Sequence, residues 1–291
     1  MQDNNTIGRI TSRKKLSLTP NCGSDTVCTM SKFARKFGIE IEAVGLTVCQ
    51  AEVVLRRAGI PVFNGYTPES LNSKNWKVVR DGSVSKGFEA VSPVLSGYEG
   101  LAEVERVVKI LRAAGAKINH CCGFHVHVDA GDLDTYAMKV AVRRYFVHET
   151  EIDKFMDRSR RGNGNNWARS MEAVDGRLTP FSEDIERKNF CAQVDKRYFK
   201  LNLLAFLRHG TLEFRQHHGS LDHERISNWI QFCVQFIEDC KAMSDDRNMP
   251  EPGLFDNVDD FVYQHFYPEP LVPRFFKTFF LVFALAVMCL A

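Results

Sequence analysis

Three short segments alternate apolar and ionisable residues, which is the pattern of β-strands with one apolar and one polar face. They are 39–42 (Ile-Glu-Ile-Glu), 124–129 (Phe-His-Val-His-Val-Asp) and 212–215 (Leu-Glu-Phe-Arg). Successive side chains of a strand point to opposite faces, so each segment predicts an apolar face for a core and a face of charged groups. The outer face of an ordinary half-exposed strand usually holds Thr, Lys, Ser or Gln. The carboxylates and imidazoles found here instead predict one shared polar site.

Helical spacing of apolar residues separates these strands. It predicts helices over 46–58, 101–111, 133–156 and 222–243, the first two ended by Gly59 and Gly115. Further strands are predicted at 76–79 and 88–91, a hairpin from 198–206 and 211–215 around His209-Gly210, and a loop over 158–177. Strands and helices mix without a regular βαβ rhythm, which favours an α+β fold.

The chain divides into three parts by composition. Residues 1–34 are polar and predict a flexible tail, 35–272 carry the patterned segments, and 273–291 are mostly apolar. The wholly apolar run Phe279–Ala291 is shorter than the roughly 20 residues that span a bilayer. A buried final element is favoured for this run, and membrane contact is the alternative.

Charge and cysteine content narrow the function classes. Among 291 residues the formal net charge is only +2, which gives no electrostatic footprint for a nucleic-acid binder. The chain has nine cysteines, an odd number, and residues 1–25 contain no apolar leader. We therefore expect a cytoplasmic location and reduced thiols that fill the core.

Clustered carboxylates indicate a bound cation, because without one they would repel each other. The candidate oxygen ligands are Glu40, Glu42, Asp81, Glu89 and Glu213. They outnumber the candidate imidazoles His125 and His127, which favours Mg²⁺ or Mn²⁺ over Zn²⁺ or Fe²⁺. Arg215 beside Glu213, with Arg197 upstream, adds the positive charge that phosphoryl transfer from ATP requires. The chain has neither a P-loop nor a dinucleotide-binding glycine motif.

The motifs, in their order along the chain, resemble those of the amidoligase family, which belongs to the glutamine-synthetase-like carboxylate–amine ligases. The resemblance runs from about 37 to 236. It rests on the segments 37–42, 76–84 (with Asp81-Gly82-Ser83), 89–93, 122–129 and 211–222 (TLEFRQHHGSLD), together with Arg197-Tyr198 and Leu201-Asn202.

The resemblance implies a glutamine-synthetase-like antiparallel sheet whose polar face binds ATP and Mg²⁺, with helices packed on the other face. It implies metal ligands at Glu40, Glu42, Asp81, Glu89, Glu213 and His125, nucleotide contacts from His125, His127, Arg197 and Arg215, and catalytic roles for His125, Arg197 and Arg215. Gly123 and Asn202 match architectural positions. The implied reaction phosphorylates a small-molecule or peptide carboxylate to an acyl phosphate, which an amine then converts to an amide.

Several points stay open at the level of sequence. The base for the amine is unassigned among His217, His218 and Glu224, the loop 160–169 is either a lid or a plain solvent loop, and an oligomer is compatible with the sequence. Two rival functions are a metallohydrolase built on His125, His127 and Asp129, and a non-catalytic binding protein that keeps the fold.

Overall fold

One sheet organises the residues that the computed structural model describes, which are 33–67, 74–80, 82, 87–177 and 186–248. Its strands are β1 (Lys36–Val44), β2 (Val62–Asn64), β3 (Trp76–Val79), β4 (Gly87–Val91), β5 (Leu95–Ser96), β6 (Phe124–Asp129), β7 (Leu201–Asn202) and β8 (Thr211–Phe214). The order is β2-β3-β4-β1-β6-β8-β7, with β5 paired to the start of β1. The β2–β3 pair is parallel, and the other named pairs are antiparallel.

Helices fill most of the intervals between strands. They are α1 (Val48–Arg57), α2 (Gly97–Ala113), α3 (Thr135–Val147), α4 (Glu149–Asp153), α5 (Glu172–Arg177), α6 (Arg187–Ala192), α7 (Ala205–His209) and α8 (His223–Asp245), and a 3₁₀ turn covers Arg158–Arg160. None of the helices in these described ranges is long and apolar enough to cross a membrane.

The core lies between the apolar face of the sheet and the long helices. Phe214 of β8 shows the packing: its ring lies 6.0 Å from that of Tyr145 on α3, and 6.4 and 5.7 Å from those of Trp229 and Phe236 on α8. Alternation therefore gives the expected result in the three segments, since the apolar residues of 39–42, 124–129 and 212–214 are buried here and their ionisable residues occupy the opposite face. The mixed α+β class with one mostly antiparallel sheet is confirmed.

Local signals in the sequence fix several helix ends. Thr47 and Gln50 form a capping box at the start of α1, and Asp222 accepts bonds from the backbone N–H groups of Glu224 and Arg225 at the start of α8. Gly115 follows α2 with φ +98°, a conformation that a side chain strains. The predicted helix starts and stops thus have a physical basis.

Three predictions about elements were wrong in detail. The hairpin strand 198–206 shortens to two residues, because α7 occupies 205–209 and leads into β8. The helix predicted over 133–156 breaks at His148 into α3 and α4, and the loop 158–177 contains the 3₁₀ turn and α5. Uniform apolar spacing does not reveal such breaks in advance.

The cysteine prediction was right for four of the six described thiols. Cys122, Cys191, Cys233 and Cys240 are buried, whereas Cys49 and Cys121 are exposed and fill no core. The six are free thiols. The tails 1–32 and 249–291, with the apolar run at the C-terminus, lie outside the described residues.

Candidate active site

The registers of β1, β4, β6 and β8 bring the predicted ionisable residues onto one face. Glu40 lies opposite His125 across β1 and β6, and Glu42 lies opposite Glu89 across β1 and β4. His127 of β6 lies opposite Glu213 of β8. The three alternating segments are therefore neighbouring strands, and their carboxylates and imidazoles form one patch.

His125 is at the centre of this patch. Its Nδ1 lies 3.0 Å from Glu40 Oε2 and 3.6 Å from Glu213 Oε1, and its Nε2 lies 3.9 Å from Glu42 Oε1. The ring is only 4% exposed. One buried imidazole thus approaches carboxylates from β1 and from β8.

His127 lies beside His125 and is the more exposed of the two imidazoles. Its Nε2 is 3.4 Å from Glu40 Oε1 and 3.8 Å from Glu213 Oε1, and its Nδ1 is 2.9 Å from the hydroxyl of Thr211. The ring of His209, from the end of α7, meets that of His127 edge-on at 5.8 Å. The imidazoles and the two carboxylates consequently form a continuous polar cluster.

Glu213 and Arg215 form the β8 side of the site. Arg215 donates from Nη1 to Glu213 Oε1 and from Nε to the carbonyl of Trp167 at 3.3 Å. Asn202 of β7 donates to the other Glu213 oxygen at 2.6 Å, so the residue that we expected to be architectural also bonds directly to a candidate ligand. Both Glu213 and Arg215 are buried, which fixes their orientation.

Gly123, which precedes β6, lets the backbone lie close to the side chains of Glu42, His125 and Arg160. Its N–H donates to Glu42 Oε2 at 2.6 Å. An added Cβ would lie 3.0 Å from His125 Nε2 and 3.2 Å from Arg160 Nη2, which is tighter than an ordinary contact. A glycine at this position therefore leaves room for both side chains.

The cluster shifts the pKa values of its own members. Burial raises the pKa of Glu40, but hydrogen bonds and charges from His125 and His127 outweigh it and hold that pKa well below the ordinary value. Burial is likewise opposed at Glu213, whose pKa is lowered by His127, Arg215 and His125. Burial lowers the pKa of His127, yet Glu40 and Glu213 together raise it above 6.5. The carboxylates are thus ionised at neutral pH.

Two overlapping sets of side chains have the spacing of metal ligands. In one set, single atoms of Glu40, His127 and Glu213 lie within 4.8 Å of one another; in the other, Glu40, Glu89 and His125 do so. Glu40 belongs to both sets. The donors are mostly carboxylate oxygens, so the residues fit Mg²⁺ or Mn²⁺.

The remaining predicted ligands are placed differently. Glu42 lies next to His125 but is in neither set, and one of its oxygens accepts from the Gly123 N–H. Asp81 lies outside the described residues.

A cavity of about 420 Å³ opens over the Glu40, His127 and Glu213 side of the patch. Arg215 lines its inner part, and the exposed residues Lys196, Arg197 and Arg208 line its wall. The guanidinium of Arg197 lies 5.4 Å from the centre of the Tyr198 ring. Within the described part of the chain, none of these three exposed cations has a carboxylate within 4.0 Å. The acidic Asp195 also lines the cavity, so the wall carries three cations and one carboxylate.

A buried ionic network behind the site was not predicted from the sequence. Lys200, fully buried, donates from Nζ to Glu149 at 2.6 Å and to Asp153 at 2.8 Å. Gln216 donates to the same Asp153 and accepts from the hydroxyl of Tyr145 at 2.6 Å. Tyr145, Glu149 and Asp153 follow one another at four-residue spacing, but their partners Lys200 and Gln216 lie 47 to 71 residues away. Of these five residues only Gln216 stands in one of the motifs, 211–222.

The candidate bases do not face the cavity. His217 is buried against Phe124 and Trp229, and burial holds its pKa well below the ordinary value. Burial and the charge of Arg225 lower the pKa of His218 to about 4. Neither histidine lines the cavity above the patch, and nor does Glu224.

The metallohydrolase alternative is not favoured by the geometry. Asp129 accepts a bond from the N–H of Gly131 at 3.0 Å and belongs to neither set of candidate ligands among the described residues. His125 and His127 are instead associated with Glu40 and Glu213.

Comparison with known proteins places the chain in a family. A family model described as "Putative amidoligase enzyme" matches residues 34–237, and the chain belongs to that family. The match covers every described strand, and it supports a ligase-type function. A search of curated proteins found no match.

Proposed function

We propose that this protein is an ATP- and Mg²⁺-dependent carboxylate–amine ligase that forms an amide bond through an acyl phosphate. The observation that supports the proposal most is the pair of metal-ligand sets that share Glu40 and border Arg215. Carboxylates, imidazoles and a guanidinium around one cavity are the groups that phosphoryl transfer needs.

The metal ions would be held by Glu40, Glu89, Glu213, His125 and His127. When bound, Mg²⁺ or Mn²⁺ neutralises negative charge on the phosphate oxygens of ATP. Neighbouring groups hold the pKa values of Glu40 and Glu213 below their ordinary values and fix the orientation of both side chains, so these two carboxylates are ionised and preorganised to act as oxygen ligands.

Arg215 is suited to contact the transferred phosphoryl group. Its Nη1 and Nε are fixed on Glu213 and on the carbonyl of Trp167, and its Nη2 donates to no group of the described residues. A guanidinium held by two bonds with one nitrogen left over is preorganised for an oxyanion. Arg197 and its exposed neighbours supply attraction for an anionic acid at the cavity wall.

The reaction follows from the weak reactivity of a carboxylate. A carboxylate oxygen of the acid attacks the γ-phosphorus of ATP, forming the acyl phosphate and releasing ADP. The amine then attacks the acyl carbon, and phosphate leaves. The protein's part is to position the reactants and to stabilise the charge that develops on the phosphoryl oxygens.

A turnover assay tests this proposal. The full chain is incubated with Mg²⁺, ATP, a panel of mono- and dicarboxylic acids and peptides, and hydroxylamine as the amine, and both phosphate and hydroxamate are measured. We expect acid-dependent phosphate release with an equal amount of hydroxamate, both lost in Glu213→Gln and kept in Arg57→Gln, an exposed control outside the cavity. ATP hydrolysis that no acid stimulates would contradict the proposal. Bound zinc without nucleotide affinity would favour a metallohydrolase.

A further inference from the structure

Arg160 is a buried arginine whose donors are only partly used. It ends the 3₁₀ turn and is 3% exposed. Its Nη2 donates to the carbonyls of Cys122 at 2.9 Å and Cys121 at 3.3 Å. Within the described chain, Nε and Nη1 donate to nothing, and Nε is shielded from solvent. Nε is out of reach of a ligand in this conformation, so Nη1, which is not shielded and has no acceptor among the described residues, is the nitrogen that can take an anion.

The guanidinium lies next to the polar patch, on the Gly123 side of His125, and is not part of the lining of the 420 Å³ cavity. Arg160 Nη2 and His125 Nε2 both lie near Gly123, 3.2 and 3.0 Å from the position that a Cβ would take there, which is tighter than an ordinary contact. Glu42 attracts the Arg160 charge and Arg215 repels it, while burial lowers the pKa of the Arg160 guanidinium. Arg160 therefore belongs to the same electrostatic cluster as Arg215, although Arg215 is bonded to Glu213 on the other side of His125.

The backbone around Arg160 is held in place. Asp157 caps the turn by accepting from the N–H and hydroxyl of Ser159 at 2.9 and 2.8 Å. The carbonyl of Arg160 accepts from Gln216 at 3.4 Å, and Gln216 follows Arg215 directly in sequence. The two arginines are thus coupled through one anchored segment, which keeps the side chain of Arg160 in position without a ligand.

We propose that Arg160 binds an oxyanion of the reactants, so that Arg160 and Arg215 form a pair of guanidiniums on either side of His125. The chemistry is that of a phosphoryl group of the nucleotide or of the substrate carboxylate. An anion that reaches both guanidiniums alongside His125 accepts from Arg160 Nη1 and Arg215 Nη2 and offsets the repulsion between the two charges. Its identity as a reactant rests on the proposed ligase function, but the anion site itself can be tested without turnover.

Calorimetric titration of inorganic phosphate into the full chain tests the anion site. We expect Arg160→Gln to weaken phosphate binding about tenfold or more, as loss of a charge-assisted hydrogen bond does. Arg158→Gln is the matched control, because Arg158 lies in the same turn, carries the same charge and is exposed. Unchanged phosphate affinity in a folded Arg160→Gln variant, or no phosphate binding by the wild type, would overturn the proposal.

Two nucleotide titrations then distinguish the sources of the oxyanion. If Arg160 contacts the terminal phosphoryl group, Arg160→Gln weakens binding of a non-hydrolysable ATP analogue with Mg²⁺ and leaves ADP binding unchanged. If it contacts the substrate carboxylate, phosphate binding falls while both nucleotides bind as in the wild type. Phosphate binding at Arg160 without any nucleotide binding would support the anion site and count against the ligase function.

A spectroscopic measurement on the wild type covers the case in which Arg160→Gln does not fold. The NMR signal of the Arg160 Nε–H group is assigned by its loss in the charge-preserving variant Arg160→Lys. In the wild type this signal should shift when phosphate is added. Phosphate binding that leaves this signal unmoved would place the anion elsewhere and overturn the proposal.

Discussion

Replacing Lys200 by methionine is expected to destabilise the fold strongly, because the lysine compensates two buried acids. Lys200 is fully buried, and its Nζ lies 2.6 Å from Glu149 and 2.8 Å from Asp153, whose side chains are 8% and 14% exposed. Methionine fills a similar volume but carries no charge. The variant therefore leaves two carboxylates in the interior without their cation.

The magnitude follows from what remains bonded. Removing one partner of a buried ion pair costs about 3–5 kcal/mol. Glu149 keeps donors from Ser170 and the Met171 N–H, and Asp153 keeps the Gly162 N–H and Gln216. These bonds favour the lower end, so we expect a loss of about 3 kcal/mol, a large part of the roughly 5–15 kcal/mol that stabilises a folded domain.

Urea denaturation followed by circular dichroism measures this loss as a fall in the free energy of unfolding. Lys241→Met is the matched control, since Lys241 Nζ lies 2.8 Å from Asp245 but the two side chains are 31% and 65% exposed. The control should change stability by less than about 1 kcal/mol. A loss below about 1 kcal/mol for Lys200→Met, with an unchanged denaturant slope, would refute the reasoning.

Three further predictions concern the polar face. Glu40→Gln should reduce Mg²⁺-dependent nucleotide binding more than Glu89→Gln does, because Glu40 belongs to both ligand sets and Glu89 to one. Equal Mg²⁺ titration curves for the two variants would contradict this. In metal-free protein, protonated His127 stabilises the fold below about pH 6.5, and this contribution is lost as pH rises through its raised pKa. The melting-temperature deficit of His127→Gln should therefore shrink with rising pH, and a deficit that grows would show the reverse linkage. Arg215→Lys keeps the charge but loses the planar guanidinium that contacts Glu213 and the carbonyl of Trp167. Turnover should therefore fall at least about tenfold, with a small change in melting temperature. Full activity of this variant would exclude a contact between Arg215 and the phosphoryl group.

The sheet could be predicted where alternation is strong and less well where it is weak. Residues 39–42 and 124–129 carry the period of two within β1 and β6, and a one-residue register slip would bury their charges. β7 has only two residues, too few for a local pattern, and its pairing with β8 is what defines it as a strand. The break at His148 likewise leaves no mark in the apolar spacing.

The candidate site was predictable to the extent that its residues share short motifs. Glu40, His125 and Glu213 come together because their strands are neighbours. Lys200 and Arg160 escaped the sequence argument because a lysine or arginine in an irregular segment is usually exposed, and burial depends on contacts between distant segments. Their partners, Glu149 and the carbonyl of Cys122, are 51 and 38 residues away.

Titration of ATP into the full chain, with and without Mg²⁺, tests the central claim most directly. We expect heat of binding only when Mg²⁺ is present, and its loss in Glu40→Gln and Glu213→Gln while Arg57→Gln binds as the wild type. Absence of nucleotide binding in folded, magnesium-supplied wild-type protein would contradict the assignment of this sheet face to ATP.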